Sequence, residues 1–223
     1  MVAQADLFRK GSGGALPAPR RLILASSSPR RERLLSELGL PFAKVPPLFD
    51  EGSVELRSPS ELALELARGK ARSVACRYPE DVVLGADTVV YLEGEVLGKP
   101  GSREEAKAML RALSGRRHEV FTGVCLVCLG MGLEEAFVEV SSVFFRDLSE
   151  EEIEAYANSG EPMDKAGAYA VQGKGASLVR RVEGCFYNVV GLPVSRVCEA
   201  LSRFGIRPHL FWVEGGSGAW SDF

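Results

Sequence analysis

Residues 24–35, LASSSPRRERLL, crowd three serines and three arginines around one proline. An apolar run feeds Ser26, Ser27 and Ser28, and a helix follows, with Ser28 suited to the N-cap and Pro29 to the first helical position. A helix N-terminus carries partial positive charge, so Arg30, Arg31 and Arg33 are each unfavourable there by a few tenths to about 1 kcal/mol. A local rule broken in this way points to a functional site. Backbone amides, serine hydroxyls and guanidinium groups together would hold an anion. The alternative is that the arginines splay outward as solvated helix charges. A second signal is Asp87, one carboxylate inside the otherwise apolar or neutral VVLGADTVVYL of residues 82–92. A buried, unpaired carboxylate costs several kcal/mol, so Asp87 calls for a metal, a lysine or strong donors. It could also be a structural aspartate satisfied by neighbouring amides or Thr88. Lys70 in LARGKA, Lys99 between Gly98 and Pro100, Lys165, Glu51 and Gln172 are further candidates. Taken singly, each is more often a surface residue than a ligand contact.

These groups have to be positioned by a folded body, and the composition permits one. A chain of 223 residues, 46% hydrophobic, can bury a core without disulfides or a structural metal. With 27 basic and 30 acidic side chains the net charge is −3, which lacks the basic footprint of a nucleic-acid binder. A polyanionic ligand must then be held by a local cluster of cations. The chain has no apolar run of about 18 residues, so no membrane span is expected. Residues 1–20 lack the apolar core of a signal peptide and read as a flexible leader. Cysteines at 76, 125, 128, 185 and 198 form an odd set, which suits reduced thiols in a cytoplasmic setting. Cys125 and Cys128 make a CxxC inside an apolar strand pattern, where residues three apart point to opposite faces. They read as structural thiols, not as a metal clamp.

Strand-like and helix-like segments alternate along the chain. Strands are expected over residues 21–25, 81–92, 95–97, 118–129, 135–145 and 176–182, and Glu93-Gly94 marks a hairpin turn. Helices are expected over 29–38, 60–77, 103–113, 149–158 and 193–204. Ser102 with Glu105 suggests a capping box, and the run from Ser149 to Glu152 marks another helix start. Hairpin-joined strands mixed with crossover helices imply an α/β fold built on a mixed sheet, not a doubly wound parallel one. Residues 205–223 read as an irregular tail, with Trp212, Trp220 and Phe223 available to pack back on the body.

The segments LILASSSPRRERLLSELGL, VVLGADTVVYLEGEVLGKP, SGEPMDKAGAYAVQG and VVGLPVSRVCEAL resemble, in order and spacing, the Maf (septum-formation-inhibitor-like) family. The resemblance runs from about residue 21 to 204, which sets the domain apart from the leader and the tail. It implies an elongated mixed sheet with flanking helices, two lobes around a nucleotide-binding cleft (as in inosine triphosphatases), and a homodimer. It implies hydrolysis of a nucleoside triphosphate to the monophosphate and pyrophosphate with Mg²⁺ or Mn²⁺. The DKAGAYAVQG run resembles the branch acting on dTTP and UTP. Carried across by motif, Asp87 is the proton acceptor and a metal ligand with Glu51, while Lys70 and Lys99 serve catalysis. Ser26, Ser28, Arg30, Arg31 and Lys165 contact substrate, and Arg30, Thr88 and Gln172 set preference. Gly69, before Lys70, departs from the family pattern at a position where side-chain identity is expected to matter little. The competing readings are a nucleotide-binding regulator of cell division without turnover, and a nucleic-acid module using Arg30–Arg33. Net charge and the lack of clustered aromatics speak against the second.

Overall fold

The computed structural model describes residues 20–54 and 58–212. The leader except Arg20, and Trp220 and Phe223 of the tail, lie outside the described residues. Seven strands form one mixed sheet in the order β2-β1-β3-β5-β6-β7, with β4 paired to the far end of β3. These are β1 (Leu22–Ala25), β2 (Ala43–Lys44), β3 (Val82–Leu92), β4 (Glu95–Leu97), β5 (Arg117–Cys128), β6 (Leu133–Phe145) and β7 (Val179–Glu183). β1 runs parallel to β2 and β3, and all other pairs are antiparallel. The mixed sheet expected from the sequence is therefore present.

One property of this sheet creates the site. β5 pairs with β3 without interruption from Val83 to Tyr91. On the opposite edge, β1 covers β3 only from Leu22↔Val82 to Ala25↔Gly85, and β4 covers it only from Val90 to Leu92. Between them, residues 86–89 have no strand neighbour on that side among the described residues.

The helices are α1 (Pro29–Glu37), α2 (Pro59–Ala75), α3 (Arg103–Leu113), α4 (Glu150–Asn158), α5 (Phe186–Val190) and α6 (Val194–Arg203). α2 covers one face of the sheet, packing Ala67, Ala71 and Val74 on Ile23, Val83 and Cys125. The other face carries two apolar clusters. Leu84, Ala86, Val124 and Leu126 meet α1 and α6, whereas Val90, Val120 and Val143 meet α3 and α4. A polar seam of half-buried Thr88 and buried Thr122, Ser141 and Asn188 lies between these clusters: Thr88 bonds Thr122 at 2.9 Å, and the Asn188 amide donates to Ser141 at 2.9 Å.

α2 approaches the sheet closely because two strand residues have no side chain. A Cβ on Gly85 would stand 2.6 Å from the Ala67 carbonyl oxygen, and one on Gly123 2.7 Å from the Leu64 nitrogen. Both obstacles are backbone and cannot rotate away. Gly123→Ala is expected to destabilise the fold by about 1–3 kcal/mol through overpacking, visible as a lower thermal midpoint. An unchanged midpoint would show that α2 does not need this contact.

Expected and observed elements agree closely, with informative exceptions. Ser28, Ser102 and Ser149 all cap helices, but Glu105 accepts the Gly101 amide, not that of Ser102, so that capping box is half formed. Reciprocal boxes form at Ser149/Glu152 and, unanticipated, at Ser58/Glu61. The strand expected over 176–182 is β7, which starts three residues later, at Val179, because Gly173–Leu178 form a 3-10 helix. Its cause is Glu161, whose carboxylate accepts the Lys174 and Gly175 amides and curls the chain before it can join the sheet. The start of the tail is not irregular: Pro208–Phe211 is a 3-10 turn, and the Trp212 indole donates to the Leu38 carbonyl at 2.6 Å. Cys125 and Cys128 fall into different core clusters on opposite sheet faces, and burial pushes the Cys125 thiol up to about 12. Both are buried structural thiols.

Candidate active site

The gap in the sheet opens into a cleft of about 590 Å³ lined by Ser26–Arg31, Glu51, Lys70, Asp87, Thr88, Lys99, Lys165, Ala166 and Tyr169–Gly173. Of the residues singled out from the sequence as site candidates, all but Arg33 border it.

Asp87 and Thr88 are neighbours on β3, so their side chains leave opposite faces of the sheet. Asp87 points toward α2, where Lys70 donates to its carboxylate. Lys70 also contacts Glu51 at 2.8 Å, so one ammonium joins two carboxylates. Both members of the inner pair are largely shielded, with side chains 11% and 14% exposed, while Glu51 is 58% exposed. Of the partners open to Asp87 in the sequence reading, the structure supplies the lysine. Burial raises the proton affinity of Glu51, but the hydrogen bond and charge of Lys70 outweigh it, with Lys99 and Arg31 adding to the effect. Glu51 is therefore held below the usual carboxylate range. Among the described residues no group of three or more His, Cys, Asp or Glu side chains converges as a metal cage.

Ser28 and Pro29 start α1 as the sequence implies, and the three arginines then divide. Arg33 turns outward toward Glu37, with its side chain 76% exposed. Arg31 is buried and spreads its fork over three elements: Nε to the Gly191 carbonyl at 2.8 Å, Nη2 to Thr88 at 3.0 Å and Nη1 to Ser26 at 3.5 Å. Burial lowers the pKa of this guanidinium, and the charge of Asp87 works against that shift. Arg30 crosses the cleft mouth to Asp164 at 3.5 Å, and Lys165 bonds Asp164 and the Glu161 carbonyl, each at 2.6 Å. Both readings of the cluster thus hold in part: two arginines face the cleft and one is solvated.

The far wall is a chain of turns with Gly160, Gly167, Ala168 and Gly173 at positive φ. It is pinned from behind by Glu161, which accepts the Tyr156 hydroxyl at 3.0 Å besides two amides, and by His118, whose Nε2 lies 2.7 Å from the Tyr169 hydroxyl. Burial takes His118 down to about 4, so it is neutral at physiological pH. Gln172 stands on this wall. Glu161, Asp164 and the Gly191 carbonyl were not singled out from the sequence. Partners that reveal their roles include Arg30 and Arg31, far along the chain, and the Lys174 and Gly175 amides.

The geometry amounts to a carboxylate pair and at least four cations around a slot wide enough for a nucleotide. The family model for Maf-like proteins matches residues 21–204. The dTTP/UTP pyrophosphatase of Symbiobacterium thermophilum is 53% identical over 187 residues, covering 83% of this chain and 95% of that protein. That of Carboxydothermus hydrogenoformans is 52% identical over 185 residues, covering 83% and 99%. Among solved structures, a HAM1 protein from Coxiella burnetii aligns with 83% of this chain and 100% of its own at 15% identity and a TM-score of 0.43, too loosely to bear on function. With a family model spanning nearly all of the described residues, the chain belongs to the Maf-like protein family.

Proposed function

We propose that this protein hydrolyses dTTP and UTP to the monophosphate and pyrophosphate in this cleft. The observation that carries the reading is the convergence of Asp87 and Glu51 on one positive charge, beside the serine–arginine turn that opens α1. The activity for which the relatives are named supports it.

In this reading the triphosphate lies along the Ser26–Arg31 turn and the N-terminal amides of α1, where dipole, hydroxyls and Arg30 favour negative charge. Asp87 accepts a proton from a water whose oxygen forms a bond to the α-phosphorus, while the bond from that phosphorus to the bridging oxygen breaks. The pyrophosphate leaves with its charge covered by Lys99, Lys165 and Arg30, so positioning and electrostatics supply most of the rate. Arg31 is committed to protein groups and shapes the turn from behind. The donor set fits a divalent cation shared with substrate, because Mg²⁺-type ions take one or two carboxylates and complete their shell with phosphate and water. Such an ion, held by Asp87 and Glu51, would neutralise phosphate charge and make the water more acidic. Lys70, with a hold on both carboxylates, would then be freed toward the phosphates.

Gln172 offers one acceptor and two donors, matching the imide edge of uracil or thymine. Gln172→Ala is expected to lower kcat/KM for dTTP and UTP about tenfold or more while affecting purine triphosphates little, because a missing polar partner discriminates strongly. Equal slowing of every nucleotide would remove Gln172 from base recognition. Assembly as a homodimer belongs to the same reading, supported by exposed Phe186 and Tyr187, which stack edge to face at 5.8 Å. Five unpaired cysteines suit a reducing compartment, and no helix among the described residues is long and apolar enough to cross a membrane.

The direct test is pyrophosphate release from dTTP, UTP, CTP, 7-methyl-GTP, ITP and the common purine triphosphates, with Mg²⁺, Mn²⁺ or chelator. Metal-dependent release led by dTTP and UTP is the expected result. Preference for another nucleotide would overturn the substrate, and tight binding without release would favour a regulator.

A further inference from the structure

Gly69 is the eleventh residue of the seventeen-residue helix α2. A glycine inside a helix costs roughly 1 kcal/mol relative to alanine, so its presence needs a reason. The reason is Phe49. A Cβ on Gly69 would press on the outer edge of the Phe49 ring, 2.6 Å from Cε1 and closer still to Cε2 and Cζ. Side-chain identity at position 69 therefore matters to Phe49: a Cβ there would push the ring from its seat.

The two contacts run in step along both chains. Phe49 sits on Gly69, and two residues later Glu51 meets Lys70, the residue after Gly69. Phe49 also packs against the cluster of Leu62, Ala63, Leu66, Val89 and Phe121, which reaches β3 two residues beyond Asp87. Between ring and carboxylate, Asp50 caps the short 3-10 turn Glu51–Ser53 by accepting the Gly52 amide at 3.0 Å. Glu51 itself is 58% exposed and has little packing of its own to fix it. Its segment is anchored by the aromatic ring on one side and by Val54, which packs on the same cluster, on the other.

We propose that Phe49, seated in the notch at Gly69, is a positioning residue that sets Glu51 against Lys70 and Asp87. The proposal rests on the reading of Glu51 as part of the active site. Without the ring, the segment carrying Glu51 detaches from α2, and the second carboxylate of the pair is lost to solvent. The serine–arginine turn, on the other side of the cleft, is untouched.

The test compares Phe49→Ala, Phe49→Leu, Gly69→Ala and Glu51→Gln, alone and combined. Mn²⁺ affinity is read by electron paramagnetic resonance of the nucleotide-free protein, and kcat and KM for dTTP are measured alongside thermal midpoints. Phe49→Ala and Gly69→Ala are expected to weaken Mn²⁺ binding and lower kcat by about tenfold each, the range for groups that orient a ligand. KM should hold, and Phe49→Leu should fall between Phe49→Ala and wild type. In the Glu51→Gln background, Phe49→Ala should change almost nothing further, and Gly69→Ala should add nothing once Phe49 is alanine. Multiplying effects in the Glu51→Gln background, or a folded Phe49→Ala with wild-type Mn²⁺ affinity, would overturn the positioning role while leaving Glu51 in the site. A Glu51→Gln protein with unaltered Mn²⁺ binding and turnover would instead remove Glu51 from the site and the proposal with it.

Discussion

Asp87→Asn is expected to lower pyrophosphate release from dTTP by roughly 10²–10⁴-fold, the usual contribution of a positioned general base, with nucleotide affinity nearly constant. The substitution is close to isosteric and leaves an amide oxygen that still accepts from Lys70, so the local packing survives. What disappears is basicity and one of the two negative charges gathered around that ammonium. Affinity, measured without divalent metal, should hold because the direct triphosphate contacts lie on the Ser26–Arg31 turn and the lysines, not on this carboxylate. Single-turnover kinetics with calorimetric titration separates the two quantities. A variant that loses affinity and rate in equal proportion would make Asp87 a binding group instead of a base.

The second large effect falls on stability as well as rate. Arg31→Lys is expected to destabilise the fold by about 1–3 kcal/mol, because the buried Gly191 carbonyl loses its donor, whereas Thr88 keeps Thr122 and Ser26 keeps the Ser28 amide. For a chain of this size that corresponds to a thermal midpoint lower by roughly 2–12 °C. Lysine retains the charge but offers a single donor centre, whereas the Arg31 fork holds Ser26, Thr88 and the Gly191 carbonyl at once. These three belong to the end of β1, to β3 and to the turn after α5, so the fork fixes the phosphate turn relative to Asp87. Misplacement by about 1 Å can cost on the order of 10² in rate. Arg30→Lys is the control, since Arg30 is one-third exposed and makes one 3.5 Å pair. Its midpoint should hardly move. Equal midpoint losses in the two variants would show that Arg31 is not the hub described.

Much of this site is legible in the sequence because its signals are local. A serine before a proline sets a helix start, and one carboxylate in an apolar strand declares itself by its cost. Arginines at the positive end of a helix do the same. What the sequence does not disclose is who meets whom. Lys70 reaches Asp87 only because Gly85 and Gly123 let α2 lie close to the strands, a fact of three-dimensional packing. The division of labour among Arg30, Arg31 and Arg33 depends on which side of α1 faces Gly191, a residue about 160 positions away. The late start of β7 has the same root. Residues 176–178 read as strand, but Glu161 holds the preceding Lys174 and Gly175 amides, and the chain leaves its 3-10 helix only at Val179. Gly69 was misjudged because a glycine is read for its backbone freedom, whereas here its use is the space it leaves.

The uncovered stretch of β3 between β1 and β4 also constrains how this chain can change in length. Inserting or deleting one residue within 86–89 would exchange the faces of Asp87 and Thr88, setting a hydroxyl before Lys70 and a carboxylate before Thr122. Continuous pairing to β5 prevents a local bulge from absorbing the slip without breaking the ladder. The Glu93-Gly94 turn, with both residues at positive φ and nothing near the Gly94 Cβ position, has room for added residues. Length variation in this hairpin is thus confined to its tip, and the frame of the strand is as much a part of the chemistry as the residues it displays.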